Sequence, residues 1–241
     1  MILQLENVHY RYPSKHHPVY AVRGITCCFE TGKIYAVMGK SGCGKTTLLS
    51  LLGGLMLPSE GQVLVEGEAT AALDCNRLRR EKISLIYQNF NLFPLLTVEE
   101  NVTYPLLIRK QKKAEAKATV RRCLESVGIT PPQFDRLPAT LSGGEQQRVA
   151  IARTLASGNP IVLADEPTGN LDSANTQNIV EILRDLAHQE NRCVIIVTHD
   201  HAVGEIADIN MEMVDGQFLA ESPRPEEPKA GYPLFNQFGI E

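Results

Sequence analysis

Eight consecutive residues constrain the fold of this chain more than any other stretch: Gly39-Lys40-Ser41-Gly42-Cys43-Gly44-Lys45-Thr46. They fit the pattern G-x-x-x-x-G-K-[ST] of phosphate-binding loops. The apolar residues 34–38 before the loop predict a strand, and residues 47–52 after it predict a helix. Because this pattern binds phosphate between a strand and a helix, the sequence favours nucleotide binding over an ordinary turn between buried elements.

The chemistry of the loop follows from its residue types. Glycines allow successive backbone N–H groups to turn inward and approach phosphate oxygens. The helix predicted to begin at Lys45 adds the positive end of its dipole. We expect Lys45 to reach the β- and γ-phosphates of ATP, and Thr46 to offer its hydroxyl to Mg²⁺. All residues from 39 to 46, together with Thr47, are therefore predicted to contact the nucleotide.

Length and composition limit the remaining possibilities. The 241 residues are 43% hydrophobic, which is enough for one large α/β domain or for a domain with a subdomain. The net charge of −4 gives no electrostatic support for a nucleic-acid partner. The six cysteines show neither C-x-x-C nor paired Cys/His spacing, so we expect reduced thiols in a cytosolic protein.

The strand before the phosphate loop finishes at Gly39, and three further apolar runs end in polar residues. These runs and the residues after them are 83–87 with Gln88, 160–164 with Asp165 and Glu166, and 193–197 with Thr198 and His199. In an open parallel sheet, ligands bind at the carboxyl ends of the strands, so we expect these side chains to meet at one edge. Asp165 suits a Mg²⁺ ligand acting through water, and Glu166 suits a general base for water.

A second helix start of interest is predicted at Ser142-Gly143-Gly144-Glu145. Ser142 and Glu145 form a capping box, and the helix is predicted over residues 146–156. The two glycines leave backbone N–H groups uncovered in the first turn, which makes a second anion-binding helix N-terminus. Because Ser-Gly-Gly has poor helix propensity without an evident packing gain, a functional interpretation is favoured over an ordinary capped helix.

Residues 90–140 predict a helical insertion in the α/β core. Thr97 and Glu100 form another capping box, which predicts a helix start. Residues 109–122 are helical in composition and hold seven basic residues against one acid, and the pair Pro131-Pro132 is predicted to end this helix. The basic run is interpreted as a solvated face, with contact to anionic lipid or an acidic partner as the alternative.

Other segments predict extended structure. Residues 1–38 are β-rich and include Tyr12, for which spacing alone favours a core position over stacking on a base. Residues 61–67 predict a short strand, and residues 211–219 predict a hairpin with an Asp-Gly turn. Residues 221–241 contain four prolines and predict a flexible tail.

In this order the motifs resemble those of the ATPase subunits of ABC transporters. The resemblance covers residues 1–220 and rests on the phosphate loop and on Gln88, the stretch 141–146, Asp165-Glu166 and His199. The run 163–172 is similar to the group that serves lipoprotein release, macrolide and antimicrobial-peptide export, and cell division.

This resemblance implies an α/β fold. It consists of a P-loop NTPase core with a mostly parallel sheet, an N-terminal antiparallel β-subdomain and an inserted helical subdomain. The ATPase domain is expected over residues 1–220, with the helical subdomain at about residues 90–155 and the proline-rich tail at 221–241.

The resemblance also implies roles for individual residues. Tyr12 resembles the aromatic residue that stacks on adenine, against the core position that its spacing favours. Gln88 resembles the glutamine that senses Mg²⁺ and relays to the membrane partner, and His199 resembles the switch histidine. Asp172 resembles an aspartate at the dimer interface. The signature that contacts the γ-phosphate of the opposite subunit's ATP is matched by Ser142, Gly143, Gly144 and Glu145.

These roles imply a site shared between two copies of the chain. The expected catalytic residues are Lys45, Gln88, Glu166 and His199, and the expected Mg²⁺ site is formed by Thr46, Gln88 and Asp165. Members of the family pair head to tail and enclose two ATP molecules, which accounts for two anion sites that lie far apart in sequence.

We expect an ATP-hydrolysing subunit that lies in the cytoplasm on the inner face of the membrane and drives a separate transmembrane permease. The expected activity is export of a peptide, lipoprotein or drug-like substrate, and the alternative is a mechanical or regulatory ATPase that transports nothing. A DNA-repair ATPase would need a long coiled coil between the two motifs, and the roughly ninety-five residues there lack sustained heptads.

Overall fold

The computed structural model describes residues 1–13, 18–169 and 173–219. The predicted tail over residues 221–241 and the predicted interface residue Asp172 lie outside the described residues. Among the described helices, none combines the length and the apolar character needed to cross a bilayer.

The N-terminal region forms an antiparallel sheet, as the resemblance implies. Its strands are β1 (Leu3–Tyr12), β2 (Val19–Phe29), β4 (Glu60–Val65) and β5 (Glu68–Ala69), and their order is β2-β1-β4-β5. Strand β1 pairs antiparallel with both β2 and β4, so the predicted extended segments share one sheet. The register of β1 and β2 places Tyr12 opposite Val19.

A second, mostly parallel sheet carries the polar strand ends. It consists of β3 (Lys33–Met38), β6 (Ile83–Ile86), β7 (Ile161–Asp165), β8 (Cys193–Thr198), β9 (Ile209–Val214) and β10 (Gln217–Phe218). The strand order is β10-β9-β3-β8-β7-β6, and only the β9–β10 pair is antiparallel. The predicted P-loop NTPase core is therefore confirmed, because the four strands with polar ends are parallel neighbours.

Seven α-helices accompany the two sheets in the described ranges. They are α1 (Lys45–Leu52), α2 (Cys75–Glu81), α3 (Val98–Ile108), α4 (Lys113–Ser126), α5 (Gly143–Ser157), α6 (Ser173–His188) and α7 (His201–Ile206). Both predicted capping boxes are present, at Thr97 with Glu100 and at Ser142 with Glu145.

Alternation along the central strands divides the core in two. In β3, Ile34 and Ala36 pack with helices α3 to α6 on one face of the sheet. Tyr35 and Val37 pack on the other face with α1 and the N-terminal sheet. Because successive side chains of a strand point to opposite faces, this strand is buried on both sides and its polar end is fixed by two cores.

The predicted helix over residues 109–122 is wrong at its start. Helix α3 ends at Ile108, Lys110 has a φ of 60°, and α4 begins only at Lys113. The guanidinium of Arg109 donates to the backbone oxygens of Arg80 and Ser157, so this residue is no part of a solvated basic face. Helix α4 also ends before the two prolines, at Ser126. The boundaries of a separate helical subdomain at residues 90–155 remain a prediction.

Candidate active site

The phosphate loop connects β3 to α1 and is shaped by its glycines. Gly42 and Gly44 have φ values of 83° and 109°, which lie in the left-handed region that favours glycine. A Cβ on Gly44 would lie 2.1 Å from the backbone oxygen of Ala21. The loop therefore requires glycine at position 44 for two independent reasons, the backbone angle and the close approach of β2.

Lys45 lies inside the loop that precedes it. Its side chain is buried, at 7% exposure. The ammonium group donates to the backbone oxygens of Gly39 at 2.6 Å and of Lys40 at 3.1 Å. The loop thus holds a positive charge at the N-terminus of α1, where backbone N–H groups already favour an anion.

The four parallel strand ends meet at a cavity of about 650 Å³. Predicted site residues that line it are Tyr12, Lys40, Ser41, Gly42, Gly44, Lys45, Thr46, Thr47, Gln88, Asp165, Glu166 and His199. The convergence expected from the parallel sheet is therefore present in one cavity, next to the phosphate loop.

Six predicted nucleotide contacts do not line this cavity: Gly39, Cys43, Ser142, Gly143, Gly144 and Glu145. A Cβ on Gly39 would lie 2.4 Å from the backbone oxygen of Met213 in β9, so Gly39 packs against the sheet. The side chain of Cys43 is buried in the apolar core. Gly39 and Cys43 therefore contribute to the shape of the loop through packing and do not line the cavity.

Three cavity residues had no sequence signal of their own: Val19, Tyr20 and Ala21 in β2. The sequence pattern predicts only that these residues belong to a strand. The available signal was their pairing with β1, because an antiparallel partner of Tyr12 must lie beside the same opening. Val19 is that partner, and Tyr20 pairs with Arg11.

The core position that spacing favoured for Tyr12 is wrong. The side chain is 41% exposed, and its ring stands edge-on to Tyr10 with 5.0 Å between centroids. Its hydroxyl lies 3.0 Å from Oγ1 of Thr47, which ties the tyrosine to the start of α1. An exposed aromatic face beside the phosphate loop is suited to stacking on a base.

Glu166 is held in a strained and closely surrounded position. Its φ is 45°, which costs a non-glycine residue on the order of 1 kcal/mol or more. Its backbone N–H donates to the oxygen of Val197 at 2.9 Å. The hydroxyl of Thr198 donates to the Glu166 carboxylate at 3.1 Å, and Nδ1 of His199 lies 2.9 Å from that carboxylate. The end of β8 therefore orients Glu166.

Asp165 and Thr46 form an oxygen-rich pair at the floor of the cavity. The Thr46 hydroxyl donates to Oδ1 of Asp165 at 3.4 Å. Burial raises the pKa of Asp165 above its ordinary value, and the Thr46 hydrogen bond and the Lys45 charge only partly oppose this rise. Oxygen donors whose negative charge is poorly solvated suit a hard divalent cation, so these residues fit Mg²⁺.

The raised pKa of Asp165 predicts a pH-dependent effect of Asp165→Asn. Below the ordinary aspartate pKa of 3.8 both folded and unfolded chains are protonated, so the two proteins should have similar Tm values. As pH rises through the higher folded-state value, the wild type must ionise a buried carboxylate and loses stability. We expect the Asn variant to melt at a higher temperature than wild type at neutral pH without nucleotide, while losing most Mg²⁺-dependent hydrolysis.

Thermal melts from pH 4 to 8 measure this effect, with Asp135→Asn as the control because Asp135 is exposed. A difference in Tm between wild type and Asp165→Asn that stayed constant over this range would contradict the explanation.

The second glycine pair lies on a separate helix start. The Ser142 hydroxyl accepts from the Glu145 N–H at 3.3 Å, and the Glu145 carboxylate accepts from the Ser142 N–H at 2.7 Å. The hydrogen bond from Ser142 holds the pKa of Glu145 below its ordinary value. Gly143 and Gly144 follow as the first residues of α5 and are half-buried. This helix start is well ordered by side-chain caps.

Comparison with known proteins identifies the family of the chain. The sequence profile of the ABC transporter family matches residues 22–169. The uncharacterized ABC transporter ATP-binding protein YclH of Bacillus subtilis is 40% identical over 220 residues, which cover 91% of this chain and 96% of YclH. The macrolide export ATP-binding/permease protein MacB of Brucella melitensis is 37% identical over 226 residues, and the chain spans only 35% of its length.

Solved structures show the same fold. The dimeric structure of MJ0796, a cassette from Methanocaldococcus jannaschii, superposes with a TM-score of 0.87 at 36% identity. The match covers 92% of this chain and 98% of that one. A post-hydrolysis structure of MJ0796 bound to ADP and Pi gives a TM-score of 0.86. The chain described here therefore belongs to the ABC transporter family and is one of its ATPases.

Proposed function

We propose that the chain is the ATP-hydrolysing subunit of an exporter, working as a head-to-tail dimer beneath a separate transmembrane permease. The observation that carries this proposal is the convergence of Lys45, Asp165, Glu166 and His199 on one cavity. These residues supply a phosphate site, a cation site and a base within one opening.

The geometry supports a direct hydrolytic step. The loop amides and Lys45 bind the phosphates of ATP, and the exposed ring of Tyr12 stacks on the base. The Glu166 carboxylate accepts a proton from the water that attacks the γ-phosphorus, and the β–γ bridging oxygen leaves with ADP. His199 keeps that carboxylate oriented through Nδ1. Bound Mg²⁺, held by Thr46 and Asp165, would neutralise charge on the β- and γ-phosphate oxygens.

The position of the second helix start supports a dimer. Ser142, Gly143 and Gly144 do not line the cavity that holds the phosphate loop, and Ser142 is exposed. In a head-to-tail pair, this exposed helix N-terminus of one copy completes the nucleotide site of the other. The structure of MJ0796, which is 36% identical to this chain, is dimeric, and this supports pairing of two copies.

An apolar groove supports a permease partner. A cavity of about 460 Å³ lies between α2, β6, α3 and α5, with Leu85, Tyr87, Tyr104 and Ile108 among its lining residues. Further apolar side chains are exposed in the adjacent loop and on α3, and they are Phe93, Leu95 and Leu107. Contiguous exposed apolar surface is typical of an interaction site.

This groove is physically joined to the nucleotide site. Arg153 of α5 lines it and donates to the backbone oxygens of Asn91 at 2.7 Å and Phe90 at 3.0 Å. These two residues follow Gln88, which lines the nucleotide cavity. An occupant of the groove therefore lies within a few residues of the predicted Mg²⁺-sensing glutamine.

We expect Leu95→Asp to uncouple the chain from its permease. Leu95 is 86% exposed, so the substitution should leave the fold and the ATPase activity of the isolated chain unchanged. A charge introduced into an exposed apolar contact should reduce capture of the permease by about tenfold or more. Leu57→Asp, at an exposed leucine in the loop before β4, is the matched control.

The measurement is co-purification, after co-expression, with a candidate permease taken from the neighbouring open reading frames. Equal capture by Leu95→Asp and wild type would reject the exposed loop beside the groove as part of the docking surface. The similarity to MacB favours export over a purely mechanical role. ATP-driven uptake of substrate into inverted vesicles distinguishes these two functions.

A further inference from the structure

The turn between β9 and β10 touches the phosphate loop, although the sequence predicts it only as the end of a hairpin. The predicted Asp-Gly turn is confirmed, with φ values of 47° at Asp215 and 84° at Gly216. Both angles are left-handed, as type I′ hairpin turns require.

Gly216 uses both of its backbone hydrogen-bonding groups to join two other parts of the site. Its N–H donates to the backbone oxygen of Cys43 in the phosphate loop at 2.9 Å. Its own oxygen accepts from the N–H of Arg23 in β2 at 2.8 Å. A single residue thus connects the predicted phosphate-binding loop to a strand that lines the same cavity.

Close packing reinforces this connection. A Cβ on Gly216 would lie 2.9 Å from the backbone oxygen of Ala21, and a Cβ on Gly44 would lie 2.1 Å from the same atom. The Ala21 carbonyl is therefore packed between the turn and the phosphate loop. Because Tyr20 and Ala21 line the cavity, a shift of this carbonyl moves a residue of the cavity wall.

We propose that Gly216 is a positioning residue that sets the separation between the phosphate loop and β2, and so the affinity for nucleotide. The inference rests on the assignment of this cavity as the nucleotide site. A side chain at position 216 displaces the Ala21 carbonyl or the turn, and the Cys43 and Arg23 hydrogen bonds lengthen with it. Gly216 acts through its neighbours and does not itself line the cavity.

The chain contains a matched control for this idea. Gly67 follows Glu66 in the turn between β4 and β5, and these residues have φ values of 86° and 51°. The backbone conformation is close to that at Gly216, but a Cβ on Gly67 would meet no atom within 4 Å. Gly67→Ala therefore carries the conformational strain of Gly216→Ala without the displacement of a neighbour.

The experiment measures Kd for MgADP by calorimetry, KM for ATP and Tm in wild type, Gly216→Ala and Gly67→Ala. We expect both variants to melt lower, and only Gly216→Ala to raise Kd and KM, by about tenfold or more, because small misplacements of binding groups are costly. Equal Kd and KM values for the two variants would overturn the proposal. If wild type bound no MgADP, the nucleotide-site assignment itself would fail.

If Gly216→Ala does not fold, two further measurements give a decision. Gly216→Asn tolerates the left-handed backbone but still carries a Cβ, so its Kd should rise relative to that of Gly67→Asn. In the wild type, MgADP should slow hydrogen exchange at the Gly216 and Arg23 amides and leave the Gly67 turn unaffected. Unchanged exchange at Gly216 and Arg23 would overturn the proposal without any variant.

Discussion

We expect Glu166→Gln to lower the rate of ATP hydrolysis by about a thousandfold, because positioned general bases contribute about 10² to 10⁴. Glutamine has the size of glutamate and can still accept the hydrogen bond from Thr198, so the local geometry is retained. It cannot accept a proton from water at neutral pH. The variant should therefore bind MgATP as tightly as wild type and accumulate in the ATP-bound dimer.

Single-turnover hydrolysis measures the loss, and light scattering after gel filtration with MgATP measures the dimer. Glu205→Gln is the matched control, since Glu205 is an exposed glutamate on α7, the helix that follows His199. Normal turnover in Glu166→Gln would remove Glu166 as the base. A variant that stayed monomeric with bound MgATP would contradict the head-to-tail dimer.

The position of this base is predictable from sequence because the signals are short and regular. A continuous apolar run of five residues predicts a strand buried on both faces, and the carboxylates directly after it must lie at the strand's end. Parallel neighbours then bring Asp165, Glu166 and His199 to the edge occupied by the phosphate loop. Each step uses local pattern plus a general rule of sheet topology.

The fold of the peripheral segments is less predictable because distant partners decide it. Composition alone favours one helix through residues 109–122, but Arg109 donates to acceptors far away in sequence, among them Arg80 and Ser157. Helix α3 ends just before Arg109, and Lys110 adopts a left-handed backbone. Nothing in the local sequence identifies these acceptors.

The walls of the cavity show the same limit. Tyr12 has apolar neighbours at strand spacing and is placed at the opening by its pairing with Val19 and its bond to Thr47. Gly216 is recognisable as a turn residue, but its bond to Cys43 spans most of the chain. Roles that depend on contacts between sheets therefore need the three-dimensional structure.

The largest loss of nucleotide binding is expected for Lys45→Ala. The ammonium group lies at the N-terminus of α1 and is buried, so its interaction with phosphate is weakly screened by water. Removing such a group should lower kcat/KM for ATP by about a hundredfold or more. Unlike Glu166→Gln, which spares binding, this variant should raise Kd for MgATP as well.

Stability separates this loss from simple unfolding. Without nucleotide, the buried ammonium donates to the neutral oxygens of Gly39 and Lys40, and taking a charge out of water is unfavourable. In Lys45→Ala the cost of burying this charge disappears, and this gain offsets the loss of the two hydrogen bonds. The free energy of unfolding should therefore change by less than about 1 kcal/mol. Lys33→Ala, at the opposite end of β3, should change neither quantity. The exposed Lys33 ammonium pairs with the exposed Glu30 carboxylate, and such surface ion pairs contribute little energy. A Lys45→Ala protein that melted normally and bound MgATP with wild-type affinity would contradict the assignment of the phosphate site. In that case the folded loop would bind nucleotide equally well without the Lys45 charge.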